Sequence, residues 1–164
     1  VTTETYAGDK GKEKAYMVDT SEYDKVGKLV TDTCKEIMAN VEGRRTYKYD
    51  AAGHLESMVQ VYNGHTINFT YKTDVKGNMT ERVRLGDDGK PVRKENWRGN
   101  DKGDCVEYWD YNGAGKLQRR VTQDFSYDKD GNTTGMKVAA YFGGSDKPSG
   151  AGRVEYEYEF YKEK

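Results

Sequence analysis

A metal-binding pattern is suggested by DKDGNTTG, 128–135, where Asp128, Asp130 and Asn132 recur at every second position. Oxygen-bearing side chains so spaced are what a calcium loop offers. An EF-hand also needs glycine at its sixth position and glutamate at its twelfth, but here Gly131 is fourth and Ala139 twelfth. A tight turn needs aspartate and glycine for backbone reasons alone, so the segment reads as a turn and no metal or cofactor is assigned. NGAGK, 112–116, lacks the second glycine and the Lys-Ser/Thr of a phosphate loop. His54 and His65, both beside turns and without HExxH spacing or a cysteine partner, read as solvated turn residues rather than metal ligands. No G-x-S-x-G occurs, and no nucleophile has a base near it in sequence.

Two other patterns remain. A glycosidase needs a pair of carboxylates about 5–10 Å apart, and 28 acidic residues supply such pairs by chance. Trp97, Tyr108, Trp109 and Tyr111 are more specific, because aromatic faces on a rigid sheet stack on sugars or grip peptide side chains. Alternation puts Trp109 and Tyr111 on one strand face and Tyr108 on the other. For Trp109 and Tyr111, packing in the core is the plainer expectation beside ligand contact.

The elements that must position these residues follow from one recurring phrase. YDKVGKL (23–29), YDAAGHL (49–55), TDVKGNM (73–79), LGDDGKP (85–91), YNGAGKL (111–117) and YDKDGNT (127–133) align on a glycine. Asp24, Asp50, Asp74, Asn112 and Asp128 stand where a side-chain oxygen can accept from the backbone two residues on and start a type I turn. Gly27, Gly53, Gly77, Gly89, Gly115 and Gly131 stand where the chain needs a left-handed residue, which completes a hairpin tip with a bulge. Pairing Asp50 with His54 across the tip then sets Tyr49 opposite Leu55, Tyr23 opposite Leu29 and Tyr111 opposite Leu117.

Between tips the chain alternates, as in TINFTYK (66–72) and VEYEYEFY (154–161), the pattern of an antiparallel sheet with one face covered. Asn63-Gly64 adds a two-residue hairpin. The expected strands are 14–23, 28–39, 43–49, 54–62, 65–73, 78–85, 90–98, 104–111, 116–127, 132–142 and 153–162. KLVTDTCKEIMANVEG (28–43) has helical spacing in part, yet its β-branched Val30, Thr31 and Thr33 favour the strand. FGGSDKPSGAG (142–152) reads as an exposed loop. The fold class is all-β, an up-and-down antiparallel meander of about 11 strands built from repeated hairpins. Its curved sheet must hide an apolar face by closing barrel-like or folding into a two-layer sandwich.

Composition bounds the partners. No break splits residues 1–164, which read as a single domain. Leu, Ile, Val and Phe number only 24, so the core must come largely from 14 tyrosines and from valine. A net charge of −1 provides no field for nucleic acid, and no apolar run is long enough to span a membrane. Cys34 and Cys105 are too few for a disulfide framework; a bridge between them needs Cα atoms within about 7 Å. The chain starts at Val1, which is expected of a processed N-terminus with a signal peptide removed.

The Y-D-x-x-G-x-L phrase resembles the YD repeat, the tyrosine–aspartate hairpin of Rhs-type and teneurin proteins, which build large secreted β-shells. The resemblance covers short segments over residues 23–133; Thr73 and Leu85-Gly86 depart from it, and the chain is too short to enclose a shell. The whole chain is similar to small secreted bacterial proteins of unknown function that carry such hairpins. That resemblance implies export and an all-β fold, and supplies no catalytic residues. The functional expectation is a non-enzymatic exported protein whose sheet binds a glycan or another protein, or serves a structural role. The alternatives are a hydrolase of polysaccharide or peptide with an acid pair in a sheet concavity, and a scaffold or inhibitor pairing through VEYEYEFY. The alternating glutamates of that segment are charges of the kind that block edge pairing.

Overall fold

A computed structural model describes residues 2–7, 14–37 and 40–156. They form twelve antiparallel strands and no helix. Backbone contacts divide the chain into two units, 1–92 and 93–164. Composition shows no break there because both units are made of the same hairpins.

Unit 1 contains β1 (Thr2–Ala7), β2 (Lys14–Tyr23), β3 (Leu29–Glu36), β4 (Val41–Tyr49), β5 (Leu55–Tyr62), β6 (His65–Thr73) and β7 (Met79–Leu85). Unit 2 contains β8 (Pro91–Gly99), β9 (Cys105–Asn112), β10 (Leu117–Tyr127), β11 (Thr133–Phe142) and β12 (Gly150–Glu155). Within each unit every strand pairs with its neighbour in sequence, and the first and last strands do not meet. The meander is as expected, with one strand more: β1 lies ahead of the first strand the pattern predicts. The ambiguous 28–43 segment is strand, turn and strand, with β3 ending at Glu36 and Asn40 turning the chain at φ 49°. β12 begins inside the expected 142–152 loop; Tyr158 and Phe160 lie outside the described residues.

The tips have the geometry their sequence implies. Asp50 N–H donates to the His54 carbonyl at 2.9 Å, Gly53 N–H to the Asp50 carbonyl at 2.9 Å, and Asp50 Oδ1 accepts from His54 N–H at 2.8 Å. The same pair of backbone bonds closes the tips at 24–28, 74–78, 86–90, 112–116 and 128–132. A seventh copy, Asn100 to Asp104, closes in the same way outside the six aligned phrases, with Gly99 at the position before the turn. The tip glycines, Gly103 among them, have φ between 74° and 90°. At Asn63-Gly64 both residues have positive φ, 48° and 77°, as a type I′ hairpin demands. Tyr23–Leu29, Tyr49–Leu55 and Tyr111–Leu117 pair in the predicted register, each with a bulge beside it.

Neighbouring tips also brace one another. In unit 1 the Lys28 side chain lies over Gly53, its ammonium 5.2 Å from the centre of the Tyr49 ring, while Tyr49 OH donates to the Leu29 carbonyl at 2.8 Å. The His54 ring sits against Gly77 in the same way. In unit 2 Lys102 Nζ is 3.6 Å from the Tyr127 ring centre, and the Tyr127 hydroxyl bridges Asn100 and Asp104.

The expected core is not there. Among the described residues no hydrophobic side chain is buried; the buried polar residues are Thr31 and Glu95. Tyrosines and valines instead line up in rows across single-layer sheets. In unit 1, Tyr47, Met58 and Phe69 share such a row, and Phe69 stacks on Tyr71 with centroids 6.5 Å apart. Each ring is covered on its flanks by cross-strand neighbours and not fully buried, because the described residues of each unit fold no second layer onto its sheet. Cys34 in β3 and Cys105 in β9 are both free and half-buried.

Candidate binding faces

Strand pairing in unit 2 sorts the four predicted aromatic residues onto opposite faces. Trp97 and Tyr108 are cross-strand partners, with ring centroids 5.8 Å apart and planes at 46°. Trp109 and Tyr111 point to the other side with their own partners, Asn96 and Lys94. No single groove gathers all four.

The Trp97–Tyr108 face is tied into a polar network. Arg93 grips Asp110 with two bonds, Nε to Oδ1 at 2.9 Å and Nη2 to Oδ2 at 3.0 Å, and approaches Glu95 Oε1 at 3.3 Å. Tyr108 OH donates to Glu95 Oε1 at 2.9 Å. Glu95 is only 6% exposed, so these bonds replace the water it gives up. The Asp110 hydrogen bonds raise the Arg93 guanidinium above its ordinary value; burial, then the Glu95 bond, pushes the Tyr108 phenol up. Glu95 and Asp110 are cross-strand partners, the sort of acid pair a hydrolase would use, but Arg93 spans them. Arg93 and Arg119 balance Glu95 and Asp110 on this face.

The opposite face is built differently. One row reads Asn96, Trp109, Arg120, Tyr141 across β8 to β11, and Lys94–Tyr111 is the adjacent pair. Trp109, Tyr111 and Tyr141 are all half-buried, none of them fully enclosed. The Arg120 guanidinium lies 4.3 Å from the Tyr141 ring centre, and Lys94 Nζ 5.1 Å from that of Tyr111. Further along, Arg98 pairs with Glu107, and Arg153 with Glu155 at 2.5 Å. Sequence reasoning missed Arg120, and counting outward from the Tyr111–Leu117 pair would have set Arg119 opposite Trp109. A bulge between Leu117 and Arg119 shifts the register by one and brings Arg120 there instead.

Other candidates are absorbed by structure. Asp128 Oδ1, the first oxygen of the calcium-like loop, accepts from the Asp130 and Asn132 amides at 2.9 and 2.8 Å. His54 Nδ1 stands 3.6 Å from Asp50 Oδ2 within its own turn, and His65 opens β6 opposite Tyr62.

No protein-family model matches the chain, and no curated protein matches it. Among solved structures it is similar to a porin-like protein from Bacteroides uniformis ATCC 8492, at 18% identity with a TM-score of 0.49. The match covers 77% of this chain and 49% of that one.

Proposed function

We propose that this is a non-enzymatic exported protein whose unit 2 sheet binds a sugar polymer on its Trp109–Tyr111–Tyr141 face. One observation carries the reading: no hydrophobic side chain is buried among the described residues, so these rings look outward from a hydrogen-bonded sheet. Trp109 and Tyr111, two residues apart on β9, and Tyr141, across Arg120 on β11, offer apolar surface to the C–H faces of sugar rings from positions the strands already fix. The Trp97–Tyr108 face is less suited, since its hydroxyl and its charges already satisfy one another. Export rests on the hairpins, which resemble those of secreted β-shells. A catalytic role finds less support, because the guanidinium spanning Glu95 and Asp110 engages the groups that would have to pass a proton.

The test is retention of the full chain on insoluble polysaccharides together with a glycan array holding neutral and acidic members. Retention that drops about tenfold or more in Trp109→Ala supports the reading, the scale expected for loss of a stacked ring. Absence of retention on every member refutes it.

A further inference from the structure

The cations of the Trp109 face set it apart from the other face of the same sheet. Arg93 on the Trp97 side is neutralised by two carboxylates at hydrogen-bond distance. On the Trp109 side the strands bring Lys94, Arg98, Arg120, Lys137 and Arg153 together with only Glu107, Asp124 and Glu155. The two ion pairs formed there take up Arg98 and Arg153. Lys94 and Arg120 have no carboxylate partner among the described residues; each lies instead on a tyrosine ring. Arg120 Nε is buried without a hydrogen-bond partner, and its guanidinium lies 4.3 Å from the centre of the Tyr141 ring, between that residue and Trp109 in the row.

Such an arrangement suits one kind of sugar. A guanidinium presents a planar fork that matches a carboxylate in two bonds, and contact with an aromatic ring leaves it less freedom to lose on binding. Sugar rings carrying carboxylates place an apolar face and an anion a few ångströms apart, the same combination that Trp109 and Arg120 offer. We infer that the ligand of this face is an acidic, uronate-type polysaccharide, its carboxylate received by Arg120 with Lys94 as a second, peripheral cation. This inference rests on the sugar-binding reading above and goes further in naming the sugar chemistry.

The test is calorimetric titration of the full chain with oligogalacturonate and with the carboxyl-reduced oligomer of the same length. The acidic oligomer is expected to bind at least about tenfold more tightly, with an affinity that falls as salt is added. Arg120→Gln removes most of that advantage and leaves the reduced oligomer bound as before; Lys94→Gln removes a smaller part. Circular dichroism checks that each variant folds, and if Arg120→Gln does not, Lys94→Gln alone must narrow the gap. Equal affinity for the two oligomers, or an Arg120→Gln protein titrating like the parent, overturns the inference and leaves sugar binding standing. Tighter binding of oligodeoxythymidylate than of the uronate also overturns it, in favour of a nucleic-acid ligand. No binding to any acidic or neutral glycan overturns both readings.

Discussion

Alanine at Gly53 would strike its hairpin at two separable points. The residue has φ 87°, where a side chain on an L-residue costs about 1–2 kcal/mol. A Cβ built there would also lie 2.0 Å from Lys28 Nζ, so the ammonium must leave its place over Tyr49. That removes a cation–π contact worth about 0.5–1 kcal/mol at an exposed site. Gly27 provides the control: its φ is 83°, but nothing lies within 4 Å of where its Cβ would be. Gly27→Ala is therefore expected to destabilise by about 1–2 kcal/mol and Gly53→Ala by about 1.5–3. Lys28→Gln alone should lose about 0.5–1 kcal/mol, and adding Gly53→Ala to it should cost only the backbone part, as in Gly27→Ala. Urea unfolding followed by the strand signal in circular dichroism measures all four proteins. Strict additivity of the Lys28 and Gly53 changes would show that the tips do not touch, and an unchanged Gly27→Ala midpoint would refute the turn assignment itself.

Asp50, Asp74 and Asp128 have carboxyls held below the usual range, Asp50 by the His54 amide and the other two first by the Asn78 and Asn132 side chains. Stability from these groups is complete above the unfolded carboxyl value of about 3.9 and is lost as pH falls through their lowered values. The thermal midpoint should thus fall as pH drops below about 4, and the triple Asp→Asn variant should show a flatter profile. Arg93→Ala removes a cation 3.3 Å from the buried Glu95 and should destabilise by about 1–3 kcal/mol in denaturant melts. Arg153→Ala, whose pair with Glu155 is exposed at both ends, should stay within about 0.5 kcal/mol of the parent. The Cys34 thiol is raised chiefly by its hydrogen bond to Asp19, and that of Cys105 by burial. Both should therefore alkylate more slowly than a free thiol near neutral pH, and Asp19→Asn should speed Cys34 while leaving Cys105 unchanged.

Much of the fold was legible because its causes are local. An acid or amide followed three residues later by glycine decides a turn whatever surrounds it, and a short turn sets the partner of each flanking residue; Tyr49 facing Leu55 needed nothing more. The copy at 100–104 lay outside the six aligned phrases although Asn100 and Gly103 supply all that the backbone needs. β1 has no tip phrase after it and left no such mark.

What lay beyond the sequence was everything that depends on more than one turn. Alternation says that a strand has two faces, but it cannot say whether anything covers them; here, among the described residues, none of the tyrosines and valines read as core is buried. Nor could it say which cations meet which rings, since one bulged residue after Leu117 exchanges Arg119 for Arg120 opposite Trp109. Turn formation is settled among four or five adjacent residues, while register several rows from a turn and the covering of a face sum over strands far apart in the chain. The sequence by itself determined where the chain reverses and which neighbours pair; tertiary structure alone decided which side chains share a surface, and with what charge.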